Sequence, residues 1–292
     1  MAGKNERQRR QARERYRRQQ EQRLARQQKV RRRWAIGTLA VLVAAGVGTL
    51  LLVFLPGGGA KKPTASASKS PSASPTATTS TVAEPAHHCS YTAATPVAKK
   101  VSFPPASPDY TASYQATINT NLGKLTFNLL NSKATCTVNS FVHLAQAGYF
   151  DKTQCHRVVN SGIYVLQCGD PYATADARLS CSTTSKVGTG TPGYDFASEN
   201  LTGARYPTGT VAMANEGTPT SNGSQFFIVY KDSTSGLNGS TGPSYTPFAT
   251  VSSGLGIVQN VAKDGYSCQY AQAGGGVPKK KVIIDSVTIK KT

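Results

Sequence analysis

Several signatures of common enzymes are missing from this chain. It has no G-x-x-x-x-G-K-[ST], no G-x-S-x-G, no H-E-x-x-H and no G-x-G-x-x-G opening a helix. Phosphate-loop, serine-hydrolase, zincin and dinucleotide-binding readings therefore lack their local geometry. No C-x-x-C occurs, so neither a zinc ribbon nor a thioredoxin-type redox site is indicated. Acidic side chains are scarce, 14 Asp+Glu against 33 Lys+Arg in 292 residues. Residues 109–292 hold ten Asp+Glu and two His, His143 and His156, which gives a paired-carboxylate hydrolase or a metalloenzyme poor support. No cofactor and no metal are expected.

The charge that is present is uneven. Of the formal +19, residues 1–33 carry +11 and the remainder +8. A uniformly basic nucleic-acid-binding domain is not what this describes, and no nucleic acid is expected as partner. The Arg-rich tail is read as a topology signal, the alternative being contact with anionic lipid or nucleic acid near a membrane. Residues 34–55 follow without a single charge in 22 positions and include the only tryptophan, Trp34. As a helix they would span roughly 33 Å, enough for a bilayer core of about 30 Å. The basic region is too long for a signal peptide, no A-x-A site follows closely and no cysteine waits to take a lipid, so this segment reads as an uncleaved anchor. With the positive charge on its N-terminal side, the tail is expected in the cytoplasm and the rest outside the cell membrane. All six cysteines (Cys89, Cys136, Cys155, Cys168, Cys181, Cys268) come after it, where disulfides persist. Fifteen connectivities are open to them.

Residues 56–108 are rich in Pro, Ala, Ser and Thr and are expected to form an extended linker, being too poor in apolar side chains to offset their ordering entropy. His87-His88-Cys89 within it lacks a fourth donor and is read as an accidental cluster. From Asp109 the composition becomes globular. Alternation over 114–121 and 124–130 predicts a hairpin around Asn121-Leu122-Gly123. Helical spacing runs from Thr135 to Tyr149, with Thr135 or Thr137 as its cap and Gly148 as its end. Short strand-like runs follow at 155–159, 163–167, 209–214, 225–229 and 248–251, then a second helix at 255–262 and a closing strand at 281–289. Many short strands with two helices predict a closed or nearly closed β-barrel over 109–292.

Two segments concentrate hydrogen-bonding and apolar residues. One is Cys155-His156-Arg157 through Gln167-Cys168-Gly169-Asp170; the other runs from Met213-Ala214-Asn215 to Asn222-Gly223-Ser224-Gln225-Phe226-Phe227-Ile228. Their pattern, H-R-x-x…Q-x-G-D and then M-A-N-x-G…N-G-S-Q-F-F-I, resembles that of cyclophilins, the peptidyl-prolyl cis/trans isomerases. The resemblance extends from about Tyr114 to Ile289 and includes Gly188 to Tyr194 and Glu199-Asn200. The layout of basic tail, anchor, linker and domain is similar to membrane-anchored cyclophilins of high-GC Gram-positive bacteria. It implies an eight-stranded, mostly antiparallel barrel capped by two helices.

The residue types suit that reaction on their own terms. Twisting an X-Pro amide costs about 20 kcal/mol because resonance must be broken, and no nucleophile is needed. A catalyst needs an apolar pocket for the ring, anchors for flanking carbonyls and a donor that favours the pyramidal prolyl nitrogen. Arg157 is the candidate donor, permanently charged and therefore suited to electrostatic stabilisation. The resemblance implies that Gln167 and Gln225 orient it and the substrate backbone. It also implies backbone contacts from Ala214 and Asn215, a pocket floor at Phe227, and walls from Val165, Tyr164 and Leu237. Strand alternation predicts that Phe226 and Phe227 face opposite ways, and that His156 turns away from the cleft as a structural residue.

Departures from the family are specific. The stretch between Arg157 and Gln167 is two residues longer than in the best-known eukaryotic members. Gly236 stands where the family often has Trp, so weak cyclosporin binding is expected, and Tyr245 replaces a cleft histidine. Disulfides between Cys155 and Cys168, which would brace Arg157, and between Cys181 and Cys268, both in apparent insertions, are hypotheses at this point. The reading is a monomeric isomerase acting on Pro-containing segments of exported proteins. The alternative is a proline-segment binding module or holdase with little turnover, and a weaker one is a scaffold whose tail carries the main role.

Overall fold

The computed structural model describes residues 88–240, 242–271 and 273–292. The expected tail 1–33, the expected anchor 34–55 and residues 56–87 of the expected linker lie outside them. Among the described residues no helix is long and apolar enough to cross a membrane.

The described residues form thirteen strands and three helices. The first strands are β1 (Tyr91–Ala93), β2 (Tyr114–Thr120), β3 (Gly123–Leu129), β4 (Thr153–Gln154), β5 (Arg157–Ser161), β6 (Ile163–Cys168) and β7 (Tyr194–Phe196). There follow β8 (Thr210–Met213), β9 (Phe226–Val229), β10 (Pro247–Ser253), β11 (Tyr266–Gln269), β12 (Gly276–Pro278) and β13 (Ile283–Lys291). The helices are α1 (Thr135–Gln146), α2 (Thr234–Asn238) and α3 (Leu255–Asp264).

Eleven strands make one antiparallel sheet in the order β11-β12-β5-β6-β9-β8-β10-β3-β2-β13-β4, and β1 pairs with β7 apart from it. The expected count of eight strands and two helices is thus corrected upward, for identifiable reasons. β4 and β5 are two pieces of one run broken at Cys155-His156. β4 pairs with β13 while β5 pairs with β12 and β6, and Cys155 N donates to Val282 O at 3.0 Å. That break puts β4, at one end of the ladder, and β5, two strands in from the other end, on one stretch of chain. β11 with β12 adds a hairpin beside β5, and α2 adds a single short turn.

Alternation decides which side chains fill the interior. Phe141 of α1 meets Phe150 and the strand residues Phe226 and Phe248, and Phe226 in turn meets Phe150 and Phe127, with ring centroids 5.2 to 6.4 Å apart. α1 buries Val138, Phe141, Leu144 and Ala145, the helical stripe read from the sequence. Its cap differs from expectation: Ala134 holds the cap position with no side-chain bond, and Thr135 donates instead to Asn131 O. Glu199, remote in sequence, accepts from Cys136 N at 3.1 Å and from Thr137 N and Oγ1 at 2.7 Å. A carboxylate at a helix N-terminus satisfies orphan N–H groups and meets the positive end of the helix dipole.

The expected linker boundary at 108 is also corrected. Residues 88–108 are packed against the barrel domain: Cys89 is bonded to Cys136, and β1 pairs with β7. The Tyr91 hydroxyl donates to Cys136 O at 2.9 Å, and Lys99 Nζ donates to Gly148 O at 2.7 Å. A Pro/Ser-rich stretch is held here by a covalent bond and a few long-range contacts rather than by its own apolar content.

Candidate active site

The site grows out of sheet register. Arg157 on β5 lies directly across from Gln167 on β6, Gln167 across from Phe227 on β9, and Phe227 across from Ala212 on β8. Cross-strand partners share a face, so these side chains form one row on the outer surface of the barrel. A second row, Val159, Val165 and Val229, runs beside it. Their sequence neighbours Val158, Leu166, Phe226 and Ile228 point into the main core instead. Phe226 and Phe227 therefore face opposite ways, as expected.

Polar contacts fix the row. Arg157 Nη1 donates to Gln167 Oε1 at 2.9 Å, and Gln167 Nε2 donates to Gln225 Oε1 at 3.0 Å. Gln225 Nε2 donates in turn to Gly188 O and Gly190 O at 3.1 and 3.2 Å. Arg157 Nε donates to Gly274 O at 2.9 Å, and Nη2 to Ala273 O. The Cys155–Cys168 disulfide brackets this first motif.

These groups border a cleft of about 340 Å³. Arg157, Val165, Gln167, Ala214, Asn215, Phe227, Leu237 and Tyr245 all line it. Phe227 is 4 % exposed and meets the edge of Tyr245 with centroids 5.4 Å apart. Tyr245 is set by Tyr206, whose hydroxyl donates to Tyr245 O at 2.7 Å. Asn215 is anchored through its amide to Ser244 O at 2.8 Å. Gln225 lies in a smaller adjoining pocket of about 70 Å³ that shares Gln167, Ala214 and Asn215 with the cleft.

Two expectations are corrected. Tyr164 does not line the cleft, because it shares the opposite strand face with Leu166; its ring meets Tyr230 at 6.0 Å and lies under Lys231 Nζ. Its neighbour Ile163 takes the wall position. His156 borders the cleft rather than turning from it, because it sits in the break between β4 and β5 where regular alternation does not hold.

Burial shapes the electrostatics. It pushes the Arg157 guanidinium downward, opposed by the nearby Tyr245 and Tyr270 hydroxyls, yet a guanidinium stays charged at any working pH. His156 is fully buried, and burial followed by the charge of Arg157 lowers it to about 3, so it is neutral beside the cation. Among the described residues there is no cluster of His, Cys, Asp and Glu able to hold a metal ion. The site offers one fixed cation, a carboxamide chain and an apolar floor.

Sequence reasoning missed Ile163, Tyr270 and the carbonyls of Gly188, Ala273 and Gly274. Backbone carbonyls carry no residue-type signal. The two linked departures of the sequence do find an explanation: a Cβ on Gly236 would run into Gly162 O and lie 2.6 Å from Ile163 Cγ2. The longer β5–β6 turn occupies the space that a side chain at 236 would need.

Residues 115–289, more than half of the chain, match the family model described as cyclophilin type peptidyl-prolyl cis-trans isomerase/CLD. A probable peptidyl-prolyl cis-trans isomerase B of Mycobacterium leprae is 37% identical over 221 residues, covering 69% of this chain and 66% of that protein. The like-named protein of Mycobacterium tuberculosis is 40% identical over 195 residues, covering 61% and 55%. The matched region thus spans between about half and two thirds of these relatives' length. A solved cyclophilin type isomerase of Cryptosporidium parvum is 24% identical, with a TM-score of 0.49, over 62% of this chain and 99% of that one.

Proposed function

The chain belongs to the cyclophilin-type peptidyl-prolyl cis-trans isomerase family, and we propose that it catalyses cis/trans isomerisation of Xaa-Pro bonds, with Arg157 as the catalytic residue. The observation that carries this reading is the row Arg157–Gln167–Phe227, which puts a fixed cation beside an apolar floor in one cleft. The prolyl ring rests on Phe227, between Leu237, Ile163 and Tyr245. As the amide twists, its nitrogen becomes pyramidal and gains a lone pair, to which the guanidinium donates. This bond is unavailable to the planar ground state, so it lowers the barrier rather than only tightening binding. Each 1.4 kcal/mol of such preference gives about tenfold in rate. Gln167 and Gln225 hold the guanidinium plane, and Ala214 and Asn215 meet the peptide backbone before the proline.

The clients we infer are exported proteins, with residues 34–55 as a single-pass anchor, the tail in the cytoplasm and the domain outside. Three disulfides pairing all six cysteines favour an oxidising compartment, and the basic tail before the apolar run favours an orientation that puts the following residues outside. A protease-free exchange assay on Xaa-Pro peptides tests the reading, using the full chain and its Arg157→Ala variant. We expect acceleration by the first and a loss of at least about tenfold in kcat/KM by the second, since hydrogen bonds to charged groups are worth about 1.5–3 kcal/mol. No acceleration by folded wild type would hand the cleft to the binding-module reading. Equal rates would move the catalytic donor away from Arg157.

A further inference from the structure

Two segments close on Arg157 from opposite sides. From one side comes the loop after β6. The buried Asp170 carboxylate accepts from Tyr172 N at 2.9 Å and from Gly188 N and Gly190 N, which fixes the far end of that loop. The Gly188 and Gly190 carbonyls then hold Gln225, Gln225 holds Gln167, and Gln167 holds Nη1 of the guanidinium. From the other side comes the β11–β12 hairpin, whose turn presents Ala273 O and Gly274 O to Nη2 and Nε. The hairpin lies against β5 so closely that a Cβ on Gly275, at φ +62°, would run into Val158 O. Tyr270 of the same turn donates to His156 O at 3.2 Å.

The two segments are joined to each other. Cys181 of the loop is bonded to Cys268 of the hairpin, across a sequence separation of 87. The constraints thus form a closed circuit: guanidinium, Gln167, Gln225, the Gly188–Gly190 carbonyls, the loop, the disulfide, the hairpin, and back to the guanidinium. This disulfide is placed unlike the other two. Each of the other two has at least one buried cysteine (Cys155 and Cys168 in one, Cys89 with the half-buried Cys136 in the other), whereas Cys181 and Cys268 are both only half-buried.

We propose that the Cys181–Cys268 disulfide is a positioning element for Arg157, holding both segments so that the guanidinium plane stays aimed into the cleft. The inference rests on Arg157 being the catalytic donor. Opening the circuit leaves the charge and the apolar floor in place but lets the donor swing. Turnover should then suffer more than substrate affinity, since misplacement of a reacting group from a distance can cost up to about a hundredfold.

The test compares the full chain with C181S/C268S and, as a control remote from the guanidinium, C89S/C136S. Isomerase kinetics and the Nε–H signal of arginine-labelled protein are read together, the signal of Arg157 being assigned by its loss in Arg157→Lys. In wild type that Nε–H, donated to Gly274 O, should exchange slowly. In C181S/C268S it should exchange rapidly, with kcat down about tenfold or more and KM within about twofold. In the control the Arg157 signal should be unchanged. Should C181S/C268S lose its cooperative melt, wild type is titrated with dithiothreitol. Each opened disulfide is counted by alkylation and mass spectrometry, and kcat should fall in step with Cys181–Cys268. A slow Arg157 signal and unaltered kcat after that bond is open would overturn the proposal. A wild type with no isomerase activity would instead overturn the catalytic reading, while the exchange data still decide the positioning.

Discussion

His156 is a neutral imidazole held against a permanent cation, and its stability cost has a definite sign. Its native pKa of about 3 lies below the ordinary 6.5 of an unfolded chain. Below pH 6.5 the unfolded chain therefore takes up a proton that the native state refuses. The contribution is fully present above 6.5 and is lost as pH falls toward 3. The slope approaches about 1.4 kcal/mol per pH unit once the unfolded histidine is mostly charged. We expect the urea midpoint of the full chain to fall between pH 7 and pH 5, before most carboxylates titrate, and that of His156→Gln to fall less. Parallel midpoints in the two proteins would show that burial of a neutral ring at this position is not the source. At this scale the sequence was legible wherever a residue type carries the chemistry. Arg157, Gln167, Gln225 and Phe227 were found because a motif holds them; the carbonyls of Ala273 and Gly274 were not, because any residue supplies a carbonyl. Tyr164 was misplaced because an inserted turn obscured which neighbour faces the cleft, Ile163 and Val165 being on one strand face and Tyr164 on the other.

Elements followed the sequence where periodicity was local. The alternation over 114–130 gave the β2–β3 hairpin with its full seven-pair register, and the 3.6 spacing after Thr135 gave α1. What periodicity could not show is how an element is finished by a remote one. α1 starts without a side-chain cap of its own and takes Glu199, more than 60 residues away, as acceptor for two backbone N–H groups. Glu199 is itself placed by its backbone N–H donating to Thr246 Oγ1 at 2.9 Å. Removing such an acceptor leaves two N–H groups and the helix dipole uncompensated, a loss of about 1–2 kcal/mol. Glu199→Ala should lower the urea midpoint by that equivalent with an unchanged m-value, and adding salt should weaken the difference between the two proteins. A variant as stable as wild type would mean that the N-terminus of α1 is already satisfied by water. The strand count went astray for a related reason: whether a run is one strand or two depends on a break at Cys155-His156, and that break is set by which partners flank it, β13 before and β12 with β6 after.

At the scale of the whole molecule, composition and connectivity gave opposite answers for residues 88–108. By composition they belong to the linker, because prolines, serines and lysines cannot bury enough surface to order themselves. By connectivity they belong to the domain, because Cys89 is tied to Cys136 on the first turn of α1, across a sequence separation of 47. Closing a loop of that length in the unfolded chain costs about 4 kcal/mol in the chain-entropy estimate, and the bond removes that cost from folding. The pairing of β1 with β7 adds to this, as do Tyr91 between the rings of Tyr194 and Phe196 and Asn139 Nδ2 donating to Pro105 O at 2.8 Å. A domain cut to begin at 109 therefore lacks a covalent and a packing contribution that one beginning at 88 retains. We expect the shorter piece to unfold at a urea concentration lower by the equivalent of about 3–5 kcal/mol, with the Cys136 thiol newly open to alkylation. The cleft row lies on β5, β6 and β9, none of which pairs with β1, so substrate affinity of the folded fraction should change far less than stability. Equal midpoints for the two pieces would return residues 88–108 to the linker. A shorter piece that folds but no longer isomerises would show that this segment acts on the active site through Thr191 and Gly193, which accept from Ala98 N and Ala94 N beside the Gly190 carbonyl that holds Gln225.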